Sequence, residues 1–153
     1  MDALVIVDVQ TGFIEWDYPS HKEMLMGTLM RIESAKREGR KIIVVEFDCG
    51  GKTLKEIRHK LPLDTIWVVK QFMGGGKNIL NAVPCLRSAE IVGLYTSQCV
   101  AATAIGLAGE GVHCRINLDA TADCERIQDR KVMREKIEVT RKNFRVEPQY
   151  LTV

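Results

Sequence analysis

Long apolar segments, a secretory leader and an excess of charge of one sign are all missing from this chain of 153 residues. No segment approaches the ~20 apolar residues that a membrane-spanning helix needs. The 22 basic and 20 acidic residues leave a net charge of +2, which gives no sign of a nucleic-acid partner. The residues after Met1 lack the basic start and longer apolar stretch of a secretory signal. We therefore expect a cytoplasmic protein that binds neither membranes nor nucleic acids.

Paired cysteines are also missing. The five cysteines include no Cys-x-x-Cys pair and no zinc-ribbon spacing, and their odd number argues against a disulfide framework. Reduced thiols in the cytoplasm fit this pattern best. No repeat or Pro/Gly-rich linker divides the chain, so we expect one domain over residues 1–153.

Short apolar segments alternate with longer amphipathic ones along the chain. The predicted strands are residues 3–9, 41–47, 65–69, 89–94 and 112–118, with a sixth, edge strand at 137–140. The predicted helices are residues 20–38, 53–61, 78–86, 97–109 and 126–136. This alternation predicts an α/β fold, a three-layer, doubly wound (Rossmann-like) and mainly parallel sheet of five to six strands. The common strand order for that class is 3-2-1-4-5-6.

Three chemically active side chains come at the ends of predicted strands: Asp8, Lys70 and Cys99. Ligands of doubly wound sheets bind outside the carboxyl ends of the strands. Cys99 also lies in the first turn of a helix, where backbone N–H groups favour a thiolate and can form an oxyanion hole. Asp8 would serve as a general base and Lys70 as its charge partner. Lys70 must lean across, because the third strand lies two strands, about 10 Å, from the first.

Each of these residues also has a purely structural interpretation. Cys99 could be a buried core thiol, Asp8 a cap of the following turn, and Lys70 a solvated strand end. Aromatic residues near the site could likewise line an apolar pocket or pack in the core: Phe13, Trp16 and Phe72.

The segments around these residues resemble the isochorismatase-like cysteine hydrolases. Asp8-Val9-Gln10-Thr11-Gly12-Phe13 is similar to the opening D-x-Q-x-x-F of that superfamily, and Lys70 continues the match. Gly93-Leu94-Tyr95-Thr96-Ser97-Gln98-Cys99-Val100 resembles its G-x-x-T-x-x-C-V turn. The resemblance spans about residues 3–123.

The resemblance implies specific roles. Cys99 would be the nucleophile, Asp8 the proton acceptor and donor, and Lys70 the electrostatic partner. A cis peptide between Leu94 and Tyr95 would aim the Tyr95 N–H, with that of Cys99, at an oxyanion. The residues expected to contact substrate are Gln10, Phe13, Trp16, Phe72 and Tyr95.

Nicotinamidases of this superfamily hold a metal through an Asp-x-His and further histidines after the second strand. Residues 47–51 of this chain contain no histidine, so we expect no metal and no other cofactor. The predicted function is hydrolysis of a small amide or ureide through a thioester. The alternatives are hydrolysis of a vinyl ether such as isochorismate, and a non-catalytic small-molecule binding or thiol-redox module. The resemblance and the small-residue helix after Cys99 favour a homo-oligomer.

Overall fold

The computed structural model describes residues 1–124 and 129–153, and within them the chain forms one six-stranded parallel sheet. The strands are β1 (Ala3–Val7), β2 (Lys41–Phe47), β3 (Ile66–Lys70), β4 (Ser88–Leu94), β5 (His113–Ala122) and β6 (Leu151–Thr152). The helices are α1 (Pro19–Arg37), α2 (Lys55–Arg58), α3 (Gly76–Ala82), α4 (Ala101–Gly109) and α5 (Arg130–Asn143). A π-helical turn (Thr96–Val100) precedes α4, and a 3-10 turn (Pro148–Tyr150) precedes β6. The strand order is 3-2-1-4-5-6, so the predicted fold class and order are confirmed.

The sheet has a hydrophobic core on each face, which explains why β1 is apolar at every position. Alternate side chains of a strand point to opposite faces, and all five residues of β1 are buried. Leu4 and Ile6 pack with the apolar side chains of α1 and α2. Val5 and Val7 pack with those of α3, α4 and α5. Among the described residues, no helix is both long enough and apolar enough to cross a membrane.

Glycines allow two close approaches of the backbone. Gly93 in β4 has a φ of +116°, and a Cβ there would lie 2.1 Å from the carbonyl oxygen of Val7 in β1. A Cβ on Gly27 of α1 would lie 2.2 Å from the carbonyl oxygen of Asp119 in β5. A side chain at either position is therefore excluded. Gly93 lets β4 lie close to Val7 of β1, the residue that precedes Asp8.

The prediction of a strand at residues 137–140 is wrong. These residues belong to α5, where Met133 and Ile137 are one helical turn apart and both buried. The sixth strand is β6, which pairs in parallel with Cys114 and Arg115. The predicted helix at 126–136 is α5, which runs from Arg130 to Asn143, and residues 126–128 lie outside the described part of the chain. Two apolar residues that alternate with polar ones, Ile137 and Val139, do not distinguish a strand from a helical turn in so short a window.

Candidate active site

Three side chains from different parts of the sequence meet at the carboxyl ends of the strands. Asp8 follows β1 and is 2% exposed. Lys70 is the last residue of β3, and its fully buried Nζ lies 3.0 Å from Oδ2 of Asp8. Cys99 belongs to the π-helical turn between β4 and α4 and is 9% exposed. Its thiol interacts with both charged groups.

Lys70 reaches Asp8 by extending past the end of the strand between them. In the register of β2 and β3, Phe47 is the partner of Lys70. The ammonium lies 4.6 Å from the centre of the Phe47 ring and donates a hydrogen bond of 2.6 Å to the Met73 carbonyl. A lysine stem can lie along apolar surface while its charge meets a polar partner. The length of this side chain closes the distance that two strands impose.

Asp8 has an unusual conformation and few partners for a buried charge. Its φ is +55°, in the left-handed region that aspartate and asparagine enter more readily than most residues. Neither carboxylate oxygen has a well-oriented hydrogen bond, so the Lys70 ammonium is its charge partner without an aligned hydrogen bond. Burial raises the pKa of Asp8, and the Cys99 thiol and Lys70 lower it. A buried carboxylate that faces a cavity and has no aligned hydrogen bond is suited to accept a proton.

The environment of Cys99 keeps its thiol protonated. The pKa of Cys99 is raised to about 12, first by burial and then by the charge of Asp8 and the contact with its carboxylate, while Lys70 lowers it. The expectation that the helix N-terminus would favour a resting thiolate is therefore wrong, because burial outweighs it. A thiol beside a carboxylate can still act as a nucleophile if the carboxylate takes its proton during attack.

Asp8 and Cys99 line a cavity of about 450 Å³. Its other lining residues are aromatic, amide-bearing or sulfur-containing: Phe13, Phe47, Phe72, Tyr95, Gln71, Gln98, Cys49 and Met73. Phe13 makes edge contacts with Phe47 and with Tyr95, at ring distances of 6.1 and 6.2 Å. Asp8 is the one charged residue of this lining in the described part of the chain. The cavity therefore offers an apolar, aromatic wall and two neutral amides beside the carboxylate and thiol.

Of the residues predicted to contact substrate, three line this cavity and two do not. Phe13, Phe72 and Tyr95 are in the wall. Gln10 is fully buried, and its amide is occupied: it donates to the carbonyls of Phe47 and Gly51 and accepts from the Phe47 N–H.

Trp16 lies outside the cavity, with about half of its surface exposed. Gln10 and Trp16 therefore lie outside the wall of the cavity, contrary to the expectation of substrate contact. Gln10 joins two loops through its amide, and Trp16 is on the surface.

Several lining residues were not predicted from the sequence: Phe47, Gln71, Gln98 and Cys49. Phe47 ends β2 and Gln71 follows β3, so both had the same strand-end position that singled out Asp8 and Lys70. Gln98 immediately precedes Cys99. Cys49 carries no motif, yet its exposed thiol lines the same cavity as Cys99.

The turn that bears Cys99 is closed by its own backbone. The Tyr95 carbonyl accepts hydrogen bonds from the N–H groups of Gln98 and Val100. The Tyr95 hydroxyl donates a 2.7 Å bond to the Phe13 carbonyl. The peptide bond between Leu94 and Tyr95 is cis, as the resemblance implies. The use of the Tyr95 and Cys99 N–H groups as an oxyanion hole stays a prediction.

The described part of the chain has no side-chain cluster suited to a metal ion. Among residues 1–124 and 129–153, no three His, Cys, Asp or Glu side chains lie close enough together to hold one.

Solved structures with this fold include enzymes of several activities. N-carbamoylsarcosine amidase from Thermoplasma acidophilum has a TM-score of 0.74 at 19% identity, over 99% of this chain and 94% of that one. An isochorismatase from Pseudomonas putida KT2440 has a TM-score of 0.75 at 17% identity, over 99% and 87%. The YcaC gene product of Escherichia coli, an octameric hydrolase of unknown specificity, has a TM-score of 0.73 at 18% identity, over 99% and 75%. At these identities the likeness shows the fold.

Sequence comparison shows the family. No curated protein sequence matches the chain significantly. The family model of the isochorismatase domain, however, matches residues 2–138, which is most of the chain. The strand order and the site at the strand ends agree with this match. The chain belongs to the isochorismatase family and is a hydrolase.

Proposed function

We propose that the protein is a cysteine-nucleophile hydrolase that cleaves the C–N bond of a small amide or ureide. The observation that carries this proposal is a buried carboxylate and a thiol that meet at one cavity, with an ammonium paired to the carboxylate. A thiol and a proton acceptor within reach of each other are what nucleophilic acyl transfer requires. The amidase among the structures of the same fold is named for a reaction of this class.

In the proposed mechanism Asp8 carries every proton. Cys99 Sγ attacks the substrate carbonyl carbon while the thiol proton passes to Asp8. The N–H groups of Tyr95 and Cys99 stabilise the resulting oxyanion. Asp8 then gives the proton to the departing nitrogen, the C–N bond breaks, and a thioester to Cys99 remains.

Hydrolysis of the thioester uses the same groups in reverse. Asp8 takes a proton from water as the water oxygen attacks the thioester carbonyl, and the C–S bond breaks. The acid leaves, and the proton returns to the Cys99 sulfur. Lys70 lowers the pKa of Asp8 and so keeps it able to accept protons between the steps. The proposal includes no metal or cofactor, because residues of the chain perform each step.

The lining favours a small substrate with a planar, apolar part. Four aromatic rings form its wall, and the amides of Gln71 and Gln98 can exchange hydrogen bonds with neutral polar groups. We therefore place uncharged amides and ureides ahead of polyanionic substrates.

The test is a hydrolysis screen of amides, ureides and carbamates. We expect wild-type protein to release an amine or ammonia from at least one of them, and Cys99→Ala to lose this activity. Full activity of Cys99→Ala would show that Cys99 is not the nucleophile.

A second candidate is hydrolysis of a vinyl ether. The raised pKa values of both Asp8 and Cys99 favour it, because a protonated Asp8 could protonate the vinyl group while the thiol takes no part. Asp8→Asn and Cys99→Ala separate the two reactions. Loss of activity in Asp8→Asn alone indicates ether chemistry, whereas loss in both variants indicates the thioester route.

We further propose a homo-oligomer of single-domain chains that works in the cytoplasm. An octameric hydrolase of the same fold supports the assembly, and the free, exposed thiols of Cys49 and Cys85 fit a reducing compartment. Light scattering on the purified protein gives the oligomeric state, and a monomer at micromolar concentration would contradict the assembly.

A further inference from the structure

We propose that His21 and Asp123 are positioning residues that hold the turn of Cys99 against the loop that follows Asp8. This loop, residues 8–18, is called the Asp8 loop below, and Thr96–Val100 is called the Cys99 turn. The inference rests on the proposed role of Cys99 as the nucleophile. Neither residue lines the cavity, so both would act through the groups they hold.

Asp123 anchors the Cys99 turn from the end of β5. Its side chain is almost completely buried, and Oδ2 accepts a hydrogen bond of 3.1 Å from the N–H of Ser97. Oδ1 accepts one of 3.0 Å from the N–H of Cys124. Ser97 is the second residue of the turn. The N-cap residue of the turn is Tyr95, and its side chain makes no capping hydrogen bond. A buried carboxylate that accepts from such an N–H makes a strong, charge-assisted bond.

His21 ties Asp123 to the Asp8 loop. Its ring is fully buried in the first turn of α1. Nδ1 lies 2.9 Å from the backbone N of Glu15, and Nε2 lies 3.0 Å from the Asp123 carbonyl oxygen. The Glu15 N–H can only donate, so Nδ1 must accept and the ring hydrogen must be on Nε2. His21 therefore donates to Asp123 as a neutral ring.

A second contact between the Asp8 loop and the Cys99 turn lies beside His21. The Tyr95 hydroxyl bonds the Phe13 carbonyl, and the Tyr95 ring centre lies 6.0 Å from that of His21. The Asp8 loop and the Cys99 turn, which come from distant parts of the sequence, are thus joined through Asp123, His21 and Tyr95. Attack by Cys99 with proton transfer to Asp8 needs these two segments at a fixed separation, and a displacement of 1 Å can lower the rate by about 100-fold.

The experiment uses two substitutions of His21 that each keep one of its bonds. His21→Asn places an oxygen near the position of Nδ1 and can accept from Glu15, but it has no donor for Asp123. His21→Gln places an N–H near the position of Nε2 and keeps that donor. Asp123→Ala removes the anchor of the turn itself.

We expect kcat to fall about 10- to 100-fold in His21→Asn and in Asp123→Ala, with KM nearly unchanged. We expect His21→Gln to recover most of the loss. The effects of His21→Asn and Asp123→Ala should not add, because both residues act through one connection.

The alkylation of Cys99 by iodoacetamide against pH supplies the readout that a purely structural role would leave unchanged. A loosened turn moves the thiol away from Asp8 and exposes it, so we expect alkylation of Cys99 at lower pH in the two damaging variants. This assay needs no substrate, so it distinguishes failure of the inference from failure of the proposed reaction. If Asp123→Ala does not fold, Asp123→Asn, which keeps one accepting oxygen, replaces it with a smaller expected loss.

Variants with a lowered Tm but wild-type kcat and a wild-type alkylation profile would overturn the proposal. An equal loss in His21→Asn and His21→Gln would also overturn it, since the bond to Asp123 would then have no separate effect.

Discussion

Asn in place of Asp8 should make the Cys99 thiol more acidic and at the same time slow turnover severely. The pKa of Cys99 is raised by burial and then by the charge of Asp8 and the contact with its carboxylate, while Lys70 lowers it. The substitution removes the negative charge of Asp8 and leaves the positive charge of Lys70. Asn has nearly the same shape and tolerates the φ of +55° at this position, so it is the conservative variant.

The size of the effect follows from Coulomb's law. Two unit charges about 4 Å apart interact with about 4 kcal/mol at an effective dielectric constant of about 20. A tenfold change in the thiolate fraction corresponds to about 1.4 kcal/mol. We therefore expect Asp8→Asn to raise the rate of Cys99 alkylation at pH 8 on the order of 100-fold or more. Loss of the proton acceptor should lower kcat by about 100- to 10,000-fold.

The assay follows iodoacetamide labelling of Cys99 by peptide mass spectrometry between pH 6 and 10. Cys49 is exposed and lines the same cavity, so the comparison is made in a Cys49→Ser background. Cys85, which is exposed and outside this cavity, serves as the internal reference for an exposed thiol. Slower or unchanged labelling of Cys99 in Asp8→Asn would refute the inference that Asp8 holds the proton on the thiol.

Three further substitutions test other parts of the structure. Lys70→Met should lower the free energy of unfolding at pH 7 by about 3 kcal/mol, because it leaves the Asp8 carboxylate buried without its partner. Without Lys70 the already raised pKa of Asp8 rises further. A carboxyl whose pKa is raised by folding favours the folded state at low pH, and this stabilisation is lost as the pH rises. The loss measured by urea unfolding should therefore be smaller at pH 5 than at pH 7, and equal losses would contradict the pairing. Gly93→Ala should cost about 2–5 kcal/mol, since it combines a positive φ with a clash. Its control, Gly39→Ala, has a positive φ in open space and should cost only about 1 kcal/mol in the same measurement. Trp16→Ala should change KM by no more than about twofold, because Trp16 lies outside the cavity, and a larger change in steady-state kinetics would place it in the substrate site.

Much of the fold could be predicted because its signals are local. Strands buried on both faces, such as β1, are apolar at every position, and helices alternate with them in strict order. The edge of the sheet was harder, because β6 has only two residues and Ile137 was assigned to a strand that does not exist. A two-residue strand forms because its partner β5 is already in place, and that cause is absent from its own sequence.

The site was predictable to the extent that it depends on strand ends. Asp8, Lys70 and Cys99 could be singled out because parallel strands bring their carboxyl ends to one edge. The wall of the cavity depends on how loops fold over that edge, so Gln71 and Gln98 were missed. Gln10 shows the reverse case: its position near Asp8 is right, but its amide is used up by backbone partners.

The sequence by itself determined the alternation of strands and helices, the family to which the chain belongs, and the three strand-end residues to which we assign its chemistry. These properties follow from side-chain periodicity and residue identity. Only the tertiary structure decided that the Lys70 side chain spans the end of β2 to reach Asp8, and that burial keeps the Cys99 thiol protonated. It alone joined His21 to Asp123 behind the Cys99 turn. Distances and solvation depend on segments that are far apart in sequence, and they take their values only when the chain has folded.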